Sequence, residues 1–419
     1  MIRAKGPFHP ETTIHPEVVI PSEVVIHPEV VIHPEVVIHP EGAMMPDPST
    51  PSPEAGYGPL HGVRVVELAG IGPAPFAATL LTELGADVVR VDKPATVGTQ
   101  PDWLTRGRPS VALDLKNPAD HAGLLDLVDA AHVFIEGYRP GVTERLGLGP
   151  DDLLARNPAL VYGRMTGWGQ DGPWSRTAGH DINYVAITGA LGAIGRAGGP
   201  PQVPLNLVGD FGGGALYLVV GILAALHEAR NSGKGQVVDC AIVDGVASLS
   251  AMMWSMISRK EWGEPRGTNM LDTGRPWYDV YETADGGWFS VGPIEAQFYA
   301  RLVELLGLPE WADAQNDASR WPQMRAAFAT AFASRTRAQW EQVFDGTDAC
   351  AAPVLSWSEA RAHPHLAARE VFVDLGDEVA PAPAPRFSRT PGRVAGMGPA
   401  VGSSTLAQVR QAWGLTTAG

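Results

Sequence analysis

Cysteine is nearly absent. The 419 residues hold only Cys240 and Cys350, with neither the number for a disulfide framework nor the spacing of a thiolate metal site. Charge is scarce at 18% of residues, and positive charge scarcer: 31 Lys and Arg against 46 Asp and Glu leave a formal charge of −15. That balance argues against nucleic acid or an anionic membrane as main partner, since both attract cations. The longest apolar run, Ala215–Leu226, has 12 residues, short of the roughly 18 that a membrane span needs. No basic segment followed by an apolar stretch opens the chain, so no secretory signal is expected. Together these absences point to a reduced, cytoplasmic globular protein. At roughly 150 residues per domain, the length suggests two or three domains.

What is abundant is punctuation, with 48 Gly and 37 Pro. Residues 15–41 repeat HPEVVI with a six-residue period. A proline in every repeat removes a backbone donor and interrupts any sheet ladder. Residues 46–59 (PDPSTPSPEAGYGP) are linker-like. Residues 1–57 are therefore expected to stand outside the fold, as a disordered tail or as an over-extended start with Met44 or Met45 opening the true chain.

From Gly58 onward the pattern alternates between strands and helices. Val63–Leu68 and Asp87–Val91 are β-branched runs flanking a Gly/Pro turn (Gly70–Pro75) and a helix over Phe76–Leu84. Further strands are expected at His132–Ile135, Leu160–Tyr162 and Gly235–Ala241, with helices at Leu124–Ala131, 211–230 and Ala247–Met256. This alternation implies a Rossmann-like α/β domain with a parallel sheet covered on both faces, over 58–275. After about 275 the pattern shifts. Asp285-Gly286-Gly287 between Tyr278–Tyr281 and Trp288–Val291 reads as a hairpin, with helices at 295–306, 322–334 and 336–345. A smaller α+β domain is expected over 276–365. Residues 366–419 should return to the large domain, through a Pro-rich extended stretch at 380–396 and a last helix near 404–413.

Gly70-Ile71-Gly72 after a strand, with Asp92 further on, resembles part of a dinucleotide fingerprint. The complete pattern needs a third glycine so that helix and strand approach closely, and Pro75 stands there. An NAD-dependent oxidoreductase is thus a weak rival reading. Asp92-Lys93-Pro94 puts a cation at a strand end, which suits a phosphate-bearing ligand.

Several motifs in sequence order carry a more specific signal: Glu136–Gly149 (EGYRPGVTERLGLG), Met165–Trp168 (MTGW), Gly179–Tyr184 (GHDINY), Asn206–Gly214 (NLVGDFGGG) and Ile294–Tyr299 (IEAQFY). With them, the chain from about Gly58 to near 395 resembles the family III CoA-transferase superfamily, and within it the α-methylacyl-CoA racemase branch. The resemblance implies an interlocked homodimer, a 2-methylacyl-CoA substrate and no added cofactor or metal. Inverting the carbon beside a thioester needs two acid–base groups on opposite faces and a donor for the enolate oxygen.

His180, just before a helix-like run, carries the imidazole, the side chain whose reference pKa lies near neutrality. The resemblance makes it one base and Asp210 the opposing one, although both positions also suit helix caps. The glycines after Asp210 would let a ligand approach the backbone. Asn206 belongs by resemblance to the same hydrogen-bond network, or else bonds its own backbone as loop asparagines do. The backbone N–H of Asp181 would serve the enolate oxygen. In the transferase branch an Asp at this position is a covalent nucleophile, so a CoA-transferase using Asp181 is the main rival. Glu295 would orient the histidine from the partner subunit. For CoA, the resemblance points to Lys93, Arg106, Arg108, Arg139 and Arg145, with Glu136, Gly137 and Tyr138 shaping the loop. Met252, Met253, Met256 and Met270 suit either core packing or acyl contact.

Overall fold

The computed structural model describes residues 56–100, 102–397 and 400–415, and the HPEVVI repeats lie outside them. Of the stretch expected to stand apart, only Gly56 and Tyr57 are described. Tyr57 is tied to the fold: its hydroxyl donates to the Thr82 carbonyl at 3.0 Å, and the Arg393 guanidinium lies 5.6 Å from its ring.

Six strands form the main sheet: β1 (Arg64–Leu68), β2 (Asp87–Asp92), β3 (Ser110–Ala112), β4 (Val133–Glu136), β5 (Val161–Thr166) and β6 (Val237–Ala241). Their order is β3-β2-β1-β4-β5-β6 and every pairing is parallel. Such a sheet must be covered on both faces. Val65, Val133 and Val161 pack under the helices Pro73–Glu83 and Leu216–Ser232. On the other face Val66, Leu68 and Phe134 pack against the helix Pro118–Ala130 and against Val409 and Trp413 near the chain's end. The Arg64 guanidinium donates to the Trp413 carbonyl at 2.6 Å, fastening that end to β1.

Among the elements that differ from expectation, three do so for a clear local reason. The first helix starts at Pro73, not Phe76, because prolines in a first turn lack only an N–H that would have no partner there. The stretch expected as one helix over Ala247–Met256 is two, Ile242–Leu249 and Ala251–Ser258. They break at Ser250, whose hydroxyl bonds back to the Val246 carbonyl at 2.9 Å. Finally, the helix expected from 211 begins earlier, as a π-helical segment, Leu207–Ala215, that runs into Leu216–Ser232. By length and composition alone, Leu207–Ser232 is long and apolar enough to cross a membrane. Here it packs on β5 and β6, with Leu218 and Ile222 fully buried.

Downstream, β7 (Asp279–Glu282), β8 (Trp288–Val291) and β9 (Ala351–Val354) form an antiparallel sheet in that order, with Gly286 at φ 76° in the hairpin turn. The helices Ala296–Leu305, Trp321–Phe332 and Arg337–Phe344 pack on it around an aromatic core in which Tyr281 and Phe332 stack at 5.3 Å. A two-stranded hairpin, β10 (Phe372–Leu375) and β11 (Glu378–Pro381), precedes the extended proline segment.

Candidate active site

The strand order reverses between β1 and β4, so the loops after these strands diverge and leave a crevice at the sheet's carboxyl edge, where doubly wound folds bind ligands. A cavity of about 380 Å³ lies there, lined by the loops after β1 (Ile71, Gly72), β4 (Gly137–Pro140) and β5 (Gly167, Trp168), and by His180, Tyr184 and Asp210. Gly72 holds φ 71° and ψ −124°, a conformation that a side chain resists. A Cβ there would also stand 3.1 Å from Asp210 Oδ2.

Each wall has a visible cause. Glu136, buried at the end of β4, accepts the Tyr138 N–H at 2.7 Å and Arg164 Nε at 2.9 Å, which folds the Gly137–Pro140 loop over the strand end. Its own charge is therefore directed inward and away from the cavity. Tyr184 donates to the Gly179 carbonyl and meets Trp168 edge-on at 4.7 Å. That contact sets the loop leading into His180.

His180 caps the helix Asp181–Ile187 in an extended conformation, and its N–H donates to Asn183 Oδ1 at 3.0 Å. Its ring lines the cavity. The Asp181 N–H begins the same helix and so has no intrahelical acceptor. The Asp181 side chain turns the other way: it is buried, does not line the cavity, and its Oδ1 accepts the Asp210 N–H at 2.6 Å. Burial pushes its pKa up, while the N–H groups of Asp210 and Gly209 oppose the shift.

Asp210 is not an N-cap, as the sequence allowed, but sits inside the π-helical segment. In that wider turn the Asn206 carbonyl takes the Phe211 N–H at 3.2 Å, which leaves the Asp210 N–H for Asp181. The Asp210 carboxyl faces the cavity, and its pKa is pushed up to about 6, first by burial and then by the charge of Asp181, with His180 opposing. A carboxyl titrating there can hold or release a proton near neutral pH. The following glycines serve packing, not ligand approach. A Cβ on Gly213 would fall 2.8 Å from the Val246 backbone nitrogen, and one on Gly214 3.0 Å from Pro73 Cβ.

The cavity thus gathers His180, Asp210, Gly137, Tyr138 and Arg139. Asn206 is exposed and contributes its carbonyl to the π turn. Glu295 caps the helix Ala296–Leu305, exposed and outside this cavity within one chain. The five expected cations divide. Lys93, Arg139 and Arg145 are exposed after β2 and β4, and among the described residues none makes an ion pair. Arg106 and Arg108 are instead buried against Glu83 and Glu67. Arg108 also donates to the carbonyls of Pro75 (3.1 Å) and Leu104 and to Thr79, so its guanidinium supports the first helix from below. Pro75, at the third-glycine position, is buried in that contact, which leaves no close backbone approach for a dinucleotide. Of the methionines, Met253 lines a separate apolar cavity of about 430 Å³, Met270 packs on the aromatic core, and Met252 is exposed. Reading the sequence alone missed Tyr184, Trp168 and Ile71 as wall residues, although the first two stood inside the quoted motifs.

A doubly wound α/β enzyme, with His180, Asp210 and Arg139 lining one crevice, is the class that this arrangement defines. The family model for CoA-transferase family III matches residues 60–405, and the chain belongs to that family. It is 47% identical to an alpha-methylacyl-CoA racemase of Mus musculus over 84% of this chain and 93% of the relative. With the alpha-methylacyl-CoA racemase of Homo sapiens the identity is 46%, over 79% and 87%. The crystal structure of a CAIB/BAIF family protein from Brucella suis superposes with a TM-score of 0.72 at 26% identity, covering 85% of this chain and all of that one.

Proposed function

We propose that this chain is a racemase that inverts C2 of 2-methylacyl-CoA thioesters by proton transfer through an enolate. The observation that carries the reading is the pairing of His180 with an Asp210 carboxyl raised to about 6 in one cavity, in a chain 46–47% identical to two such racemases. One of the two groups takes the C2 proton as a base, and the C–H electron pair moves into the enolate. The other then delivers a proton to the opposite face, and the reverse direction exchanges their roles. The Asp181 N–H at the helix start faces the developing oxyanion, where a backbone donor is worth most. Electrons and protons balance within the substrate and these two side chains, so the step requires no cofactor.

Lys93, Arg139 and Arg145 are the cations placed for the CoA phosphates. A homodimer fits the surface: Leu205, Leu207, Leu216, Val220, Leu249 and Trp254 are each at least half exposed, a concentration of apolar area that isolated soluble chains seldom leave open. In that dimer Glu295 of the partner subunit reaches the histidine. Covalent transferase chemistry at Asp181 would first have to break its bond to the Asp210 N–H.

The test is a single 2-methylacyl-CoA epimer in D2O without an acceptor acid. Deuterium at C2 with loss of stereochemical purity is expected, and His180→Ala should slow it by about 100-fold or more. CoA transfer to an added carboxylate, with C2 unlabelled, would replace this reading with the transferase.

A further inference from the structure

We propose that Asp181 is a positioning residue for the proton transfer: its carboxylate, anchored on the Asp210 backbone N–H, fixes the π turn that aims Asp210 into the cavity and places a negative charge behind it. This goes beyond the backbone role of Asp181 in the racemase reading and rests on that reading.

The geometry is specific. An α-helical turn would bond the Asp210 N–H to the Asn206 carbonyl, but that carbonyl is held by Phe211 at 3.2 Å. The released N–H meets Asp181 Oδ1 at 2.6 Å. Gly209 makes room, because a Cβ there would lie 2.2 Å from the same oxygen. The second oxygen, Oδ2, is buried and has no hydrogen-bond partner among the described residues. A carboxylate with a buried unpaired oxygen is costly to keep where an amide or a small side chain would do. The unpaired oxygen therefore points to a use of the charge of this side chain as well as its shape.

Few other charges compete. The helix Pro73–Glu83 packs on the π segment with no ionisable group before Glu83, which pairs with Arg106. The helix Ile242–Leu249 carries Asp244, Leu216–Ser232 carries Tyr217 nearest, and β5 and β6 bring Tyr162, Arg164, Asp239 and Cys240. Tyr184 and Arg139 face Asp210 across the cavity. Of all these, Asp181 and His180 are the charges that move the Asp210 carboxyl, Asp181 upward and His180 downward.

The experiment compares Asp181→Asn, which keeps an acceptor for the Asp210 N–H but removes the charge, with Asp181→Ala, which removes both. The acid limb of kcat/KM against pH reports a protonation in which the Asp210 carboxyl, raised to about 6, takes part. Loss of the like charge should move that limb down by about one pH unit in both variants. Asp181→Ala should in addition lose at least about 10-fold in kcat relative to Asp181→Asn, because the turn is no longer held. A purely structural role would lower the rate and leave the limb in place, which overturns the proposal. Carboxyl 13C NMR on the substrate-free protein gives a second readout, with Asp210 expected to titrate lower in Asp181→Asn. If the variants do not fold, the wild-type Asp181 resonance must inflect where Asp210 titrates, and a flat trace there overturns the coupling. Absence of any racemisation by the wild type would instead remove the racemase reading, with the NMR result still deciding the coupling.

Discussion

Replacing Asp210 with asparagine should make the protein more stable and almost inactive, and the gain should depend on pH in a defined direction. Raising an ordinary carboxyl to about 6 makes its ionised form costlier in the folded chain by about 3 kcal/mol at one pKa step per 1.36 kcal/mol. Water reaching this half-buried group reduces that to about 2 kcal/mol. Below about pH 3 the carboxyl is protonated in the folded and unfolded chains alike, and wild type and Asp210→Asn should then be equally stable. Between about pH 3 and 6 the unfolded chain releases its proton while the folded chain still holds it, so wild-type stability falls as pH rises. Above about pH 7 the difference is complete. Urea unfolding at about pH 3, 4.5, 6 and 7.5 measures it, with the variant's advantage growing from zero to about 2 kcal/mol. Two stability curves that stay parallel across that range would show that Asp210 titrates normally, and the acid–base role assigned to it would lose its basis.

Four further substitutions probe the supporting structure and the division of the cations. Gly209→Ala should destabilise the fold by about 1–3 kcal/mol, because the new Cβ presses on Asp181 at 2.2 Å and on Val185 at 3.0 Å, and it should slow racemisation at least about 10-fold. Gly192→Ala, in a short helix with open space around it, is the control and should leave both unchanged, measured by unfolding midpoint and initial rate. Arg108→Met strands Glu67, fully buried in β1, without its counter-charge and should cost about 3–5 kcal/mol. Arg139→Met, at an exposed cation, should leave stability within about 0.5 kcal/mol and raise KM for the CoA thioester several-fold. Equal effects of the two on stability would refute the division of the cations.

Much of this architecture is legible in the residues themselves. Strands such as Val63–Leu68 and Asp87–Val91 announce themselves because both faces of a parallel sheet are buried, which favours runs rich in valine even where a charge such as Arg64 or Arg90 interrupts them. Strand β3 escapes notice, because Ser110–Ala112 is too short to show a pattern and is recognised only through pairing with β2. The π turn is equally silent in sequence. Its glycines read as a helix start, since nothing in a one-dimensional pattern distinguishes a bond five residues back from one four residues back. The cations show the same limit: Arg106 and Arg139 look alike in the chain, and only the folded position of Glu83 tells them apart. Glu67 was the available clue, an acid inside the apolar run Val65–Leu68 that had to find a buried cation. The motifs pointed to His180 and Asp210, which both line the cavity, but not to the inward turn of the Asp181 side chain, because it depends on a backbone N–H 29 residues away.

The clasp between Arg64 and Trp413 bears on how the polypeptide is made. Its two ends are 349 positions apart, so a ribosome emits the first strand long before the indole that shields it. During that interval one side of the nascent sheet, with Val66, Leu68 and Phe134, lacks part of its cover, and growing chains in that condition are prone to stick to one another. Termination between Pro381 and Val409 would therefore yield insoluble product, even though every strand among the described residues, together with His180 and Asp210, had already been translated.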